Sequence, residues 1–444
     1  MSTKSEESLR GDALFDAVGN AVSKTPIWDL HTHLYPSSFG TGHGREVKPD
    51  ANGLMLWGID ELLTYHYLVA EFFRSIGADH AAIQNFWALS KCEQAELIWK
   101  RLFVESTPLS EACRGVVTTL ARLGFDPNES TLDGYRGWFR DQSPNGQIDS
   151  VMALTGVTRI TMTNNVFDDN ERQRWLHSSE LGSDPRFPPV LRFDELVCDW
   201  PNAGKRLNEW GYVVDVELSD SAVNEVKRFL EDWIARMNPV YCAMSLPPSW
   251  RFPVGESADQ RQRAGERCLV SAVLPVCQQH GLPLALMIGV QRGVNPLLRE
   301  AGDSLGLVDV SSLGALCREH PSQQVLCTML ARENQHELAV TARKFPNLTP
   351  FGCWWFLNNP SLIEEISRMR LELLGTSFIP QHSDARVLEQ LVYKWDHSRT
   401  VIASVLADKY QDLQAAGLNV TQKMIERDAT RLLHDNVYQL LNRG

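Results

Sequence analysis

The sequence contains no C-x-x-C pair. Its nine cysteines are odd in number and scattered, which excludes a zinc ribbon or disulfide framework and leads us to expect reduced thiols in the cytoplasm. No run of about 18 uninterrupted apolar residues occurs, so no membrane-spanning segment is expected. Positive charge is in deficit, with 43 Lys and Arg against 55 Asp and Glu, a formal net charge of -12. Without a basic patch to displace phosphate counterions, nucleic acid is not an expected partner. The opening stretch MSTKSEESLRGDALFDAVGN has no charged-then-apolar signal pattern, which again points to the cytoplasm. Repeats, low-complexity tracts and flexible interdomain linkers are also missing.

What is present is an alternation. Short apolar runs recur near residues 25 (TPIWDLH), 156 (GVTRITMT), 187 (FPPVLRF), 238 (NPVYCAMSL), 282 (LPLALMIGV), 323 (QQVLCTML), 347 (NLTPFGCWWF) and 375 (GTSFIP). Several are followed by stretches such as SAVNEVKRFLEDWIARM, where apolar residues return at three- and four-residue steps. Eight strands alternating with helices predict an α/β fold, a (β/α)8 TIM barrel. About 120 residues separate the first two runs, too many for one crossover. They read as helices over GIDELLTYHYLVAEFFRSIG, HAAIQNFWALSKCEQAELIWKRLFV and LSEACRGVVTTLARLG, an all-helical insertion over the carboxyl end of the barrel. The expected division is 1–50 for an N-terminal helix and the first strand, 51–150 for the insertion, and 151–444 for the rest of the barrel with its closing helices.

Barrel chemistry collects where strands end. In TPIWDLHTHLYPSS, His31 and His33 lie two residues apart, so an extended backbone points both imidazoles to one side. The eighth run leads into QHSDAR, with His382, Asp384 and Arg386. First and eighth strands are neighbours in a closed barrel, so two imidazoles and a carboxylate can converge on one divalent cation. Zinc suits that donor set best, with manganese and iron(II) as alternatives.

DLHTHL, NLTPFGCWWF and HSDAR together resemble the uronate isomerase (glucuronate isomerase) family of the amidohydrolase superfamily, the Phe-Gly step and double tryptophan being the most distinctive feature. Further similarity runs through VLCTMLARENQHELAVTARKFPNL, and the motif order matches from end to end. The resemblance implies metal ligation by His31, His33 and Asp384, with Asp384, Tyr67 and His33 as catalytic groups. It implies substrate contacts by Arg192, Arg386 and His66, and a pocket wall from Trp354 and Trp355. The implied activity is metal-dependent interconversion of an aldose uronate, such as glucuronate, and its ketose. The expected partner is a small sugar acid, and the expected assembly a homo-oligomer.

This chain also departs from the family pattern. Met287 in ALMIGV stands where the fifth strand usually ends in histidine, CAMSLPPSW offers Ser245 and no carboxylate, and Leu68 and Ala70 replace the usual Lys and Arg. Those losses favour a rival, a metal-dependent hydrolase or decarboxylase acting on a small hydroxylated carboxylate. A third possibility is a barrel that binds a sugar acid without catalysis.

Plainer roles compete at several positions. Asp384 could cap a helix beginning at ARVLEQL, Arg192 could pair with Asp194 or Glu195, and Arg386 could form a surface ion pair. Tyr67 could be packing, His382 a hydrogen-bonded structural histidine, and His336 a solvated surface residue. Alternation along a strand places only one of Trp354 and Trp355 in the pocket.

Overall fold

The computed structural model describes residues 9–41, 53–178 and 181–442. Its main sheet has seven parallel strands hydrogen-bonded in chain order: Ile27–Thr32, Val157–Asn165, Pro189–Arg192, Cys242–Leu246, Leu284–Ile288, Val325–Met329 and Leu348–Pro350. These coincide with the first seven apolar runs. The eighth run contributes a single bridge, Phe351 to Ile379. The Ile379 N–H donates to the Pro350 carbonyl at 3.1 Å, but Pro380 follows and has no N–H to extend a ladder. Closure onto the first strand is made further along, where the Asp384 N–H donates to the His31 carbonyl at 3.1 Å and the His33 N–H to the Ala385 carbonyl at 2.7 Å. The curled sheet with helices around it is the expected TIM-barrel type of α/β fold.

The strands are apolar almost throughout because both faces are covered. In Leu284–Ile288, Leu284, Leu286 and Ile288 pack outward in the large helix-covered core, whereas Ala285 and Met287 belong to a second cluster inside the barrel. Trp28, Leu30, Val190, Tyr241, Ala243, Leu326, Phe351 and Ile379 fill the same interior, so it is a packed core and not a pore. The fourth, fifth and sixth strands align Ser245, Met287 and Thr328 side by side. Period-two alternation thus aims Met287 at the mouth of the barrel.

Between the first two strands lie seven α-helices among the described residues, more than the three expected. The stretch read as one helix over 58–77 is two, Ile59–Leu63 and His66–Ile76, because Tyr65 is extended (ψ 142°). The second buries Leu68, Val69, Phe72 and Phe73 on one stripe and stops at Gly77, whose φ of 58° suits glycine. The stretch read as one helix over 80–104 breaks where Ser90 and Glu93 form a capping box, starting Lys91–Trp99 anew. The expected boundary between residues 50 and 51 lies outside the described residues. Helix Pro144–Thr155 runs across position 150. The closing segments form the helices Gln390–Ala415, Gln422–Thr430 and Asn436–Leu441. All nine cysteines are free, and among the described residues no helix is long and apolar enough to cross a membrane.

Candidate active site and metal centre

The first strand delivers His31 and His33, and the turn after the eighth run delivers Asp384, to one point at the carboxyl end of the barrel. One ligand atom from each of the three lies within 4.8 Å of the others. Asp384 Oδ1 stands 3.5 Å from His31 Nε2 and 3.4 Å from His33 Nε2. Asp384 has a φ of 50°, a left-handed backbone uncommon outside glycine, so the surrounding structure must hold it there. Asp29 supplies part of that hold: its fully buried carboxylate accepts from the Ser383 N–H at 3.1 Å and from Trp395 Nε1 at 2.8 Å. The helix Gln390–Ala415 begins six residues beyond Asp384, so Asp384 does not cap it.

Burial lowers the pKa of both imidazoles, that of His31 well below the ordinary histidine value, so each is neutral and free to ligate. His31 is further oriented by Thr163 Oγ1, 3.0 Å from its Nδ1. Burial alone would raise the Asp384 carboxyl, but polar contact with the His33 ring, 3.4 Å away, and the positive charge of nearby Lys394 outweigh it and keep the carboxylate ionised. Asp384 Oδ1 is buried without a hydrogen-bond donor among the described residues. A buried anionic oxygen facing two neutral nitrogens fits a divalent cation.

Around this triad lies a cavity lined by His66, Arg192, Ser245, Met287, Arg292, Trp354, Trp355 and Arg386 as well. The expected anion contacts are therefore at the site. Arg192, ending the third strand, is also paired with Asp194, through Nε at 3.0 Å and Nη2 at 2.5 Å, so the ion-pair and cavity readings of this residue both hold. Arg386 lines the cavity and donates to Glu300 at 2.6 Å. Met287 lines it too, as its place on the fifth strand predicts.

Both tryptophans line the cavity, where alternation allowed one. The seventh strand ends at Pro350, and Trp355, at φ 48°, opens a tight turn over Trp355–Leu357 that abolishes the alternation. His66 opens its helix beside the cavity and meets the Trp355 ring edge-on at 5.4 Å. Tyr67 is not among the lining residues; its ring stands 4.6 Å from His66, and its hydroxyl is buried with no partner among the described residues. His382 is not among the three clustered ligand residues, and neither of its ring nitrogens has a hydrogen-bond partner among the described residues. It packs between His31 and Phe351, neutral because burial pushes it down to about 4. His336 is exposed, as expected.

Four contributors escaped the sequence reading. Asp29 and Thr163 orient the triad. Lys394, buried on Gln390–Ala415, donates to the Ser383 carbonyl, and burial lowers its pKa to about 8. Arg292, just past the fifth strand, lies 5.8 Å over the Trp355 ring. Asp29 had a signal in the D-x-H-x-H spacing; the others sit in ordinary strand, helix or loop sequence.

No protein-family model matches the chain, and no curated protein sequence matches it. Solved structures do. A uronate isomerase from Bacillus halodurans C-125 is 48% identical, with a TM-score of 0.90 over 98% of each chain. A uronate isomerase from Thermotoga maritima shares the fold at 16% identity and TM-score 0.75, over 99% of this chain and 100% of that one. A glucuronate isomerase from Caulobacter crescentus does so at 15% and 0.76, over 99% and 97%. The identity to the first of these, sustained over nearly the whole of both chains, makes this chain a member of the uronate isomerase family.

Proposed function

We propose that the chain interconverts an aldose uronate and the corresponding ketose, glucuronate and fructuronate being the reference pair. The observation that carries this reading is the meeting of His31, His33 and Asp384 in a cavity that also holds the guanidiniums of Arg192 and Arg386. The 48% identity to a protein described as a uronate isomerase supports it.

Aldose–ketose conversion moves a proton between C2 and C1 through an enediol, so it needs a base, an acid and a means of holding charge on oxygen. His31, His33 and Asp384 would hold one divalent metal ion, zinc for this donor set with manganese or iron(II) as alternatives, which supplies Lewis acidity toward substrate oxygens. Arg386 holds the uronate carboxylate through paired hydrogen bonds. Arg192, engaged with Asp194, offers its remaining donors to hydroxyls, as does His66. The ionised Asp384 carboxylate takes and returns a hydroxyl proton. Tyr67 stands beside His66 and outside the cavity lining, so its role as proton donor on the insertion side requires its buried hydroxyl, unpartnered among the described residues, to turn toward the substrate. Trp354 and Trp355 exclude water and pack against the sugar face.

The test is incubation of metal-loaded protein with a panel of sugar acids in deuterated water, followed by NMR. Isomerase chemistry puts deuterium at C1 of the ketose and, on reversal, at C2 of the aldose. A cleaved fragment or released carbon dioxide would instead establish the hydrolase or decarboxylase. Metal analysis belongs to the same experiment: about one ion per chain is expected, and none after His31→Ala with His33→Ala.

A further inference from the structure

Three guanidiniums face the cavity, and each already has a carboxylate from this chain. Arg192 is gripped by Asp194, only 19% exposed, whose carboxylate also accepts from the Ser245 N–H at 2.8 Å. Arg292 is paired with Asp303, 6% exposed and also accepting from the Gly293 N–H at 2.8 Å. Those two acceptors are tied to backbone and have nowhere else to go. Arg386 differs. Its partner Glu300 is 66% exposed, and the 2.6 Å bond to Arg386 Nη1 is the only hydrogen bond the Glu300 carboxylate makes among the described residues.

Glu300 is delivered by the loop 291–303. Trp87 of the insertion donates through Nε1 to the Leu297 carbonyl at 2.9 Å, and the Arg299 guanidinium stacks 4.4 Å over the Trp87 ring. Arg299 itself is held at φ 54°, ψ -129°, a backbone that L-residues rarely adopt. The residue after this strained turn is Glu300. The loop is thus pinned on both sides of a carboxylate that reaches back to the arginine assigned to the substrate.

From this we infer that Glu300 is an internal competitor, occupying Arg386 in the resting protein and yielding it to the carboxylate of an entering sugar acid. The inference rests on the uronate reading above. Exchange of one carboxylate for another leaves Arg386 neutralised throughout, whereas a neutral sugar offers nothing to displace Glu300. Because the pair is half in solvent, the competition is weak and reads as a modest factor in affinity.

Calorimetric titration of the metal-loaded protein with gluconate, a non-isomerising sugar acid, tests this in the wild type, Glu300→Gln and Glu300→Ala. Both variants should bind about three- to tenfold more tightly. Their affinity should also fall more steeply with added salt, since the anion then meets an unpaired cation. Affinity for glucose should not change. Equal or weaker gluconate binding by the variants overturns the inference alone. Gluconate binding by none of the three proteins overturns it together with the uronate reading.

Discussion

Arg386 shows how much a single residue's setting can decide. It lies two positions past a metal-ligand candidate, lines the cavity and answers to Glu300, so its planar fork is shared between a resting partner and a substrate. Arg386→Lys keeps the charge and loses the fork. We expect kcat/KM on a uronate to fall at least about tenfold, a loss near 1.4 kcal/mol of transition-state stabilisation, with little change in melting temperature. An unchanged kcat/KM would remove Arg386 from the site. His31, His33 and Asp384 were legible because spacing and strand position are local properties. Arg292 and Glu300 were not, since nothing in QRGVNPLLREAG indicates that the loop folds back over the barrel mouth.

At the scale of elements, the seventh and eighth strand ends are locked against each other by a glycine. Gly352 has a φ of 64°, and a Cβ placed on it would lie 1.7 Å from Nδ1 of His382. The fully buried His382 ring has no room to retreat between Phe351 and His31. Gly352→Ala should therefore cost about 2–4 kcal/mol of stability, the sum of a left-handed alanine and a core displacement. Chemical denaturation measures it. Loss of bound metal at a temperature where the fold persists is the accompanying sign, because His382 packs directly on His31. Apolar runs announced seven strands correctly, because burial on both faces forces such composition. The helix breaks at Tyr65 and Ser90 were missed because helical periodicity continues across them. The tryptophan pair was misjudged for a similar reason: alternation holds only while the strand lasts, and this one stops at Pro350.

For the whole molecule, the central question is what holds the helical insertion to the barrel. Glu389, fully buried, accepts from the Gly58 N–H at 3.0 Å and from Gln147 Nε2 at 2.9 Å, joining both ends of the insertion to the segment that closes the barrel. Burial raises its carboxyl from 4.5 to about 7. The folded state thus binds this proton more tightly than the unfolded chain does. Its contribution is full below about pH 4.5 and is lost as pH rises toward 7, an effect of order 2–4 kcal/mol. Glu171, raised to about 8 by burial, titrates with the same sign. We predict that unfolding free energy measured from pH 4.5 to 8 falls less steeply for Glu389→Gln than for the wild type. Identical slopes would mean that Glu389 does not carry this dependence.

The sequence by itself determined the fold class, the identity of the metal-ligand candidates and the family, because apolar periodicity, strand-end position and short motifs are written in neighbouring residues. The tertiary structure alone decided which cations share the cavity, which of them carry a displaceable partner, and which hydrogen bonds between residues 132 to 354 apart in the chain brace the triad through Asp29 and Thr163 and tie the insertion to the barrel through Glu389. Those contacts depend on chain closure across the barrel and on loops whose course is set by packing. No local preference of the residues involved encodes them.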